Sequence, residues 1–286
     1  MTLEIVFWDV QHGSSMYIKT PNGKHIVQDL GTGSYGNNDK EFSPLLHLKN
    51  RYKINKLDYV IITHPHKDHI DDIMNFDELS PSVLSRPKHL PKDEILKNVQ
   101  AEDMYLFEKY FEIDQRYSSP VSSSSDPSLS NNNGGVNIQT FTPNSGSTSN
   151  INNHSIVTVL SYADIKIILP GDNEPASWRE LLERDDFKNA IKNTDIFLAP
   201  HHGRDSGFYS GLFEHFKPRL TIVSDGQFCD TSATDRYSKI SSGWTVHHRK
   251  GGEEKRNCVT TRNDGVIVVK LGYVNSKERF IEVTID

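Results

Sequence analysis

Short apolar runs alternate with polar turns along most of the chain. Residues 3–10, 16–19 and 24–29 read as three strands, with Pro21-Asn22-Gly23 turning between the last two. Residues 57–62 are almost continuously apolar and predict a buried strand. Ser43-Pro44 places a capping serine before a proline, which predicts a helix to about residue 51. Residues 93–113 have helical composition, with Ile95, Leu96, Val99, Met104, Leu106 and Phe107 as the apolar positions. Further on, 155–162 and 165–169 read as paired strands, and Asn173-Glu174-Pro175 opens a helix through about residue 191. A strand over 195–198, a helix over 207–216 and a strand over 219–223 follow. Residues 259–262 and 266–270 flank Asn263-Asp264-Gly265 as an expected hairpin, and 279–285 reads as the last strand.

Strands and helices that alternate in this way predict a layered α/β architecture. One domain over 1–286 is expected, with a flexible insertion around 76–150. Within that insertion 118–135 and 145–150 are rich in Ser, Asn, Pro and Gly. A weak internal echo relates 57–64 to 194–201. In each, an aspartate opens an apolar strand that ends in histidine.

Composition narrows the function classes. Lys and Arg number 32 against 38 Asp and Glu, a net charge of −6, so no global basic field advertises nucleic-acid binding. Cys229 and Cys258 are the only cysteines, too few for a disulfide framework or a cysteine zinc site, and a reducing, cytoplasmic setting is expected. Residues 1–10 carry Glu4 and Asp9 and do not read as a signal peptide, and no run approaches the ~20 apolar residues of a membrane helix. No membrane partner and no particular protein partner is indicated.

The chemistry concentrates at His64-Pro65-His66-Lys67-Asp68-His69, at the mouth of the buried 57–62 strand. Imidazole and carboxylate are ligands of choice for zinc, and they suit manganese and iron. Donors at i, i+2, i+4 and i+5 on a tight turn can face two neighbouring points. Asp172 and the pair His201-His202 also follow strand-like runs.

This H-x-H-x-D-H spacing resembles the signature of the metallo-β-lactamase fold. Five further blocks extend the likeness: residues 7–15 with 21–24, Asp29-Leu30-Gly31, residues 152–157, Leu169-Pro170-Gly171-Asp172 and His201-His202-Gly203. Together they resemble the hydrolase domain of the ComEC/Rec2 competence proteins and its stand-alone soluble relatives, over residues 3 to about 225. The resemblance implies an αββα sandwich. It implies that His64 and His66 hold one metal, Asp68 and His69 the other, and that Asp172 bridges them. Zinc is the first expectation for the two divalent ions, with manganese or iron compatible. Such a pair would activate a shared water for attack on phosphorus or a carbonyl carbon.

His201 and His202 occupy the last ligand motif, one as a ligand and the other toward substrate, with His202, Asp68 and Asp172 taken as catalytic. His154 fills the variable position of an Asn-Asn-x-Ser block and is a candidate ligand or a pocket residue, with Asn153 as an alternative polar contact to substrate. By likeness Asp29 orients histidines. The block at Asp9 reads Asp-Val-Gln-His-Gly where the family has Asp-Val-Gly-Gln-Gly, so His12 is either a pocket or a turn residue. Residues 231–237 depart from the competence pattern. Arg204 and Ser206 are placed to meet phosphate. His247-His248-Arg249-Lys250 and Lys255-Arg256, near Trp244, form a local basic cluster able to hold a nucleic-acid strand.

The expected function is a metal-dependent phosphodiesterase or nuclease, with DNA or RNA as candidate substrate. A hydrolase of a small ester, lactone or thioester is the enzymatic alternative. A metal-stabilised interaction module is the non-enzymatic one.

Overall fold

The computed structural model describes residues 1–32, 42–226, 232–275 and 278–286. Its strands are β1 (Thr2–Phe7), β2 (Met16–Lys19), β3 (His25–Gln28), β4 (Tyr59–Ile61), β5 (Val83–Ser85), β6 (Asn137–Phe141), β7 (Val157–Tyr162) and β8 (Ile165–Leu169). They continue with β9 (Ile196–Leu198), β10 (Leu220–Val223), β11 (Trp244–His248), β12 (Glu253–Arg256), β13 (Cys258–Thr260), β14 (Ile267–Asn275) and β15 (Glu278–Ile285). The helices are α1 (Pro44–Asn50), α2 (Lys67–Ile70), α3 (Lys92–Leu96), α4 (Met104–Arg116), α5 (Pro175–Leu182), α6 (Asp185–Ile191), α7 (Thr234–Ile240) and α8 (Thr261–Asp264).

The strands form two sheets, in the orders β12-β11-β15-β14-β1-β2-β3-β4-β5 and β13-β10-β9-β8-β7-β6. Alternate side chains of one strand serve different layers, because successive residues point to opposite faces. Ile5 and Phe7 face Ile167, Leu169, Leu198 and Ile222 in the core between the sheets. Val6, between Ile5 and Phe7, packs outward with Val27 and Val60 against Leu45 and Leu48 of α1 and Leu106 and Tyr110 of α4. On the far face Ile168 and Phe197 pack with Trp178, Leu181, Phe187 and Tyr237 of α5, α6 and α7. The result is an αββα sandwich, which explains why central strands read as apolar runs: they are buried on both faces. Among the described residues no helix is long and apolar enough to cross a membrane.

Several expected elements are corrected. Residues 93–113 do not form one helix: Gln100 is extended (φ −72°, ψ 149°) and separates α3 from a 3-10 turn that leads into α4. The 175–191 helix breaks at Arg184, also extended (φ −91°, ψ 124°). Residues 207–216 hold only 3-10 turns at Asp205–Gly207 and Ser210–Glu214. Asn263-Asp264-Gly265 makes no hairpin. Thr260 Oγ1 instead accepts from Asn263 N and caps the short α8, so β13 joins β10 in one sheet while β14 joins β1 in the other. The Ser/Asn-rich stretch 118–135 folds into turns tied by Asn132 and Asn133 side chains to main-chain carbonyls.

Candidate metal centre

β4 lies in one sheet and β9 in the other, and their C-terminal ends open at the same edge of the sandwich as the β8 turn that carries Asp172. Each delivers its donors by a different local device. After β4 the chain passes Thr63 and His64 and enters α2, which presents Asp68 and His69. The Ser14 amide donates to the Asp68 carbonyl and the Leu30 amide to the His69 carbonyl, so two neighbouring loops pin this turn. After β8, Gly171 adopts φ +62°, and a Cβ there would lie 2.9 Å from side-chain carbons of Thr63 and Ser155. Only glycine lets Asp172 approach that closely. After β9, His201 and His202 are both left-handed (φ 50° and 53°), an uncommon conformation for residues with a Cβ.

Asp172 sits at the centre. Its Oδ1 lies 3.3 Å from His69 Nε2, and its Oδ2 lies 3.6 Å from His202 Nε2, 3.9 Å from His64 Nε2 and 4.0 Å from His201 Nε2. Asp68 Oδ2 lies 3.2 Å from His202 Nε2 and 3.9 Å from His69 Nε2. His64 Nε2 is 3.0 Å from His66 Nδ1. Tetrahedral donors each ~2.0–2.1 Å from a zinc ion stand about 3.3 Å apart, the range of the shorter of these separations. Asp68, His69, Asp172 and His202 form one group able to hold an ion, their donor atoms all within 4.8 Å of one another. His64 Nε2 approaches the same oxygen of Asp172 as His202 Nε2, and His66 stands beside it through His64.

Partners behind the imidazoles fix which nitrogen looks inward. His69 Nδ1 donates to Asp29 Oδ2 at 3.0 Å, and Asp29 also accepts from Thr63 N at 2.7 Å. His202 Nδ1 donates to the Ser224 carbonyl at 2.9 Å. His64 Nδ1 is 3.1 Å from Ser155 Oγ, which in turn accepts from Asp172 N. The inward Nε2 atoms of His69 and His202 are buried without a partner in hydrogen-bond geometry, and they face carboxylates of Asp172 and Asp68 at 3.3 and 3.2 Å. Buried polar atoms left in this way are costly, and a cation held between nitrogen and carboxylate resolves it.

The charges point the same way. Burial alone would raise the carboxyls of Asp68 and Asp172, but the imidazoles of His69 and His202 hold both well below the usual carboxylate range. Burial would lower the pKa of His69, yet the carboxylates of Asp172, Asp29 and Asp68 raise it well above the ordinary value, and His202 is raised in the same sense. Burial lowers His64 and His66, with neighbouring imidazoles adding to it, so both are neutral donors. Without a metal the carboxylates recruit protons onto neighbouring imidazoles. A divalent ion would take over that role and release those protons. The donor set of nitrogen and oxygen fits zinc, manganese or iron.

The family model of the metallo-beta-lactamase superfamily matches residues 8–211. The chain belongs to the metallo-beta-lactamase superfamily. No curated protein matches it. Among solved structures, it is similar to a Thermotoga maritima protein of this superfamily at 14% identity and TM-score 0.42, over 90% of this chain and 97% of that one. It is also similar to the Bacillus subtilis metallo-beta-lactamase fold protein YhfI, at 13% identity and TM-score 0.45, over 85% and 94%. A diphosphatase of the PhnP family matches at 12% identity and TM-score 0.39, over 84% and 92%.

Superfamily membership does not bring every candidate into the centre. His154 is turned away: its Nδ1 lies 2.8 Å from His89 Nε2 and its Nε2 lies 3.2 Å from the Ser147 carbonyl. Ser155, the next residue, is the one that reaches His64 and Asp172. Asn153 is also structural, since its Oδ1 accepts from Glu174 N and Ser177 N at the start of α5. His201 stands at the rim, with Nδ1 2.9 Å from Ser206 Oγ and 3.3 Å from Glu174 Oε1, and Nε2 accepting from the Arg204 guanidinium at 3.1 Å. His12 lines the site, with Nε2 3.6 Å from Asp68 Oδ2 and its ring 5.3 Å from that of His202. The preceding Gln11 adopts φ 52°, a left-handed conformation that favours glycine.

Residues missed in the sequence are Ser155, the Ser224 carbonyl and Glu174, the last read only as a helix start. A carbonyl partner leaves no mark in side-chain identity. Cys229 and Thr231 lie outside the described residues, and Ser232 onward leads into α7.

In the basic cluster His247 faces Glu253 at 3.5 Å, His248 faces Glu254 at 3.3 Å, Arg249 pairs with Asp286, and Arg256 with Glu254 and Asp264. Trp244 is covered by the Arg219 guanidinium 4.9 Å from its ring centre.

Proposed function

We propose that this metallo-beta-lactamase superfamily protein is a metal-dependent phosphodiesterase, a relative of the ComEC/Rec2 hydrolase domain, with nucleic acid or a smaller phosphodiester as substrate. The observation that carries the proposal is the Asp172 carboxylate between two donor sets, with the Arg204 guanidinium at their edge. His64, His66 and Asp172 would hold one divalent ion, and Asp68, His69, Asp172 and His202 the other, zinc being the first expectation. Bound there, the ions supply an acidified water near neutral pH and positive charge for a developing anion.

The chain's own residues do the rest. Asp29, Ser155 and the Ser224 carbonyl hold the imidazoles so that their inward nitrogens stay fixed. Arg204 Nε is buried without a hydrogen-bond partner, so the guanidinium has donors to spare for a phosphate oxygen. His201, held by Glu174 and Ser206, presents Nε2 beside that guanidinium, where it would meet the substrate. No serine or cysteine nucleophile is required.

Hydrolysis of a small ester or lactone is the second reading. It is favoured by the apolar residues Ile95, Val99, Phe107 and Ile151 in the cleft beside His66. The deciding experiment assays labelled single- and double-stranded DNA and RNA, bis(p-nitrophenyl) phosphate and p-nitrophenyl butyrate, with Mn²⁺ or Zn²⁺. A His66→Ala/Asp172→Ala double variant serves as the control. Phosphodiester cleavage lost in the variant is expected. Cleavage of the carboxylic ester alone would replace this reading with the second.

A further inference from the structure

The cleft beside the metal centre says what kind of group flanks the scissile phosphate. It has a volume of about 430 Å³ and opens at His66 and Asp68. That lies within the ~300–1,000 Å³ typical of small-molecule sites. Its apolar residues are Ile95, Val99, Phe107 and Ile151, continuous with the core under α4. Side-chain amides of Asn98, Gln100 and Asn150 complete the wall.

The charges of the cleft are paired with one another. Lys67 Nζ lies 2.7 Å from Asp103 Oδ1, and Lys97 Nζ lies 3.4 Å from Glu94 Oε2. The cations lining it are these two lysines, against the carboxylates of Asp68, Glu94 and Asp103. A polyanionic strand laid along it would meet more negative than positive charge, the opposite of a phosphate-tracking groove. An apolar surface edged by amides suits a flat, neutral group with hydrogen-bonding edges.

We propose that this cleft seats one nucleobase of a small nucleoside phosphodiester, with the strand-binding role excluded. The proposal rests on the phosphodiesterase reading above and narrows its substrate. The base would lie on Val99 and Ile95, with its polar edge toward Asn98 and Asn150. The phosphate would stay at the metal centre beside Arg204.

The test compares the metal-loaded protein on thymidine 5′-(p-nitrophenyl phosphate) and on methyl p-nitrophenyl phosphate, which lacks the base. It also measures binding of thymidine 5′-monophosphate by calorimetry. Seating a base should raise kcat/KM for the nucleoside ester at least about tenfold over the methyl ester. Val99→Trp should pull that ratio toward one and weaken nucleotide binding by a similar factor. The exposed Asn98→Ala, which places no bulk in the core, should lower the ratio by a smaller factor in the same direction. A long single-stranded oligonucleotide should compete no better than the mononucleotide.

Equal rates on both esters would overturn the base-binding proposal and leave the phosphodiesterase reading standing. Cleavage of neither ester, with nucleotide binding still weakened by Val99→Trp, would overturn the phosphodiesterase reading and leave the ligand class standing. Oligonucleotide competition far tighter than the mononucleotide, and steeply salt-dependent, would overturn the exclusion of strand binding.

Discussion

Two arms meet at Asp172, and they are built differently. An aspartate just before each of β4 and β9 serves its neighbours: Asp58 accepts from His25 N and Lys24 Nζ, and Asp195 from Lys166 N and Arg219 Nε. Three residues past each strand stands a histidine, His64 or His201. Beyond that point the β4 arm uses ordinary backbone, with His66 extended (φ −86°, ψ 154°) before α2. The β9 arm turns through three left-handed residues, His201, His202 and Gly203 (φ 76°). Spacing places the donors of the first arm, whereas backbone strain places those of the second. Left-handed residues with a Cβ cost on the order of 1–3 kcal/mol each, and the surroundings must hold them. Here His201 N donates to the Gly171 carbonyl, and Ala233 N to the Gly203 carbonyl.

The largest test removes what the arms share. Asp172→Ala should abolish binding of at least one ion and lower activity by more than the ~10–100-fold typical of losing an outer partner of a metal ligand. Metal content by mass spectrometry and kcat/KM on a phosphodiester would show it. Full metal content in this variant would mean that the arms hold ions independently.

The next test separates the two histidines of the strained arm. His202→Ala should lose metal affinity by about 100-fold or more, because its inward nitrogen faces both Asp68 and Asp172. His201→Ala should keep both ions and lose activity, because its nitrogen is engaged by Arg204. Metal titration of both variants by calorimetry checks the pair, and equal loss of metal would make the histidines equivalent ligands.

This contrast explains what could be read in the sequence. The β4 arm was legible because its donors lie in one six-residue run whose spacing encodes geometry. The sandwich was legible because strands buried on both faces read as apolar runs. The division of labour between His201 and His202 was not, since consecutive residues carry no periodicity and a left-handed backbone decides where each points. The placement of His154, left open between ligand and pocket, and the role of Ser155 were hidden for a similar reason. Both occupy the block before β7, but only the turn geometry shows that the serine faces Asp172 and the histidine faces His89. The split of residues 93–113 was hidden because Gln100, the extended residue at the break, is no helix breaker by type.

A third test works behind the ordinary arm. Asp29 is fully buried, and burial raises its carboxyl above the usual value despite His69 and Thr63. Asp29→Asn keeps the shape but removes the charge and leaves one acceptor oxygen where His69 Nδ1–H and Thr63 N–H now use two. Metal affinity should fall by about 10–100-fold, the usual effect of losing such a partner. Competition with a fluorescent chelator would measure it, and an unchanged affinity would mean that Thr63 and the α2 turn suffice to orient His69.

The smallest effect sharpens the comparison by touching neither arm. Asn153 Oδ1 accepts from the amides of Glu174 and Ser177, the first orphan donors of α5, although Asn153 lies in the block read as substrate-contacting. Removing a side-chain cap costs about 1 kcal/mol. Asn153→Ala should therefore lower Tm by about 2–4 °C while leaving metal affinity unchanged. The reasoning is that α5 starts three residues after Asp172, so a loosened helix start could disturb the shared carboxylate only through Asn173. Asn173 Nδ2 donates separately to the Ser155 and Pro170 carbonyls, which insulates Asp172 from the helix. A fall in metal affinity matching the fall in stability would show that this insulation fails, and that α5 acts as a third support of the centre.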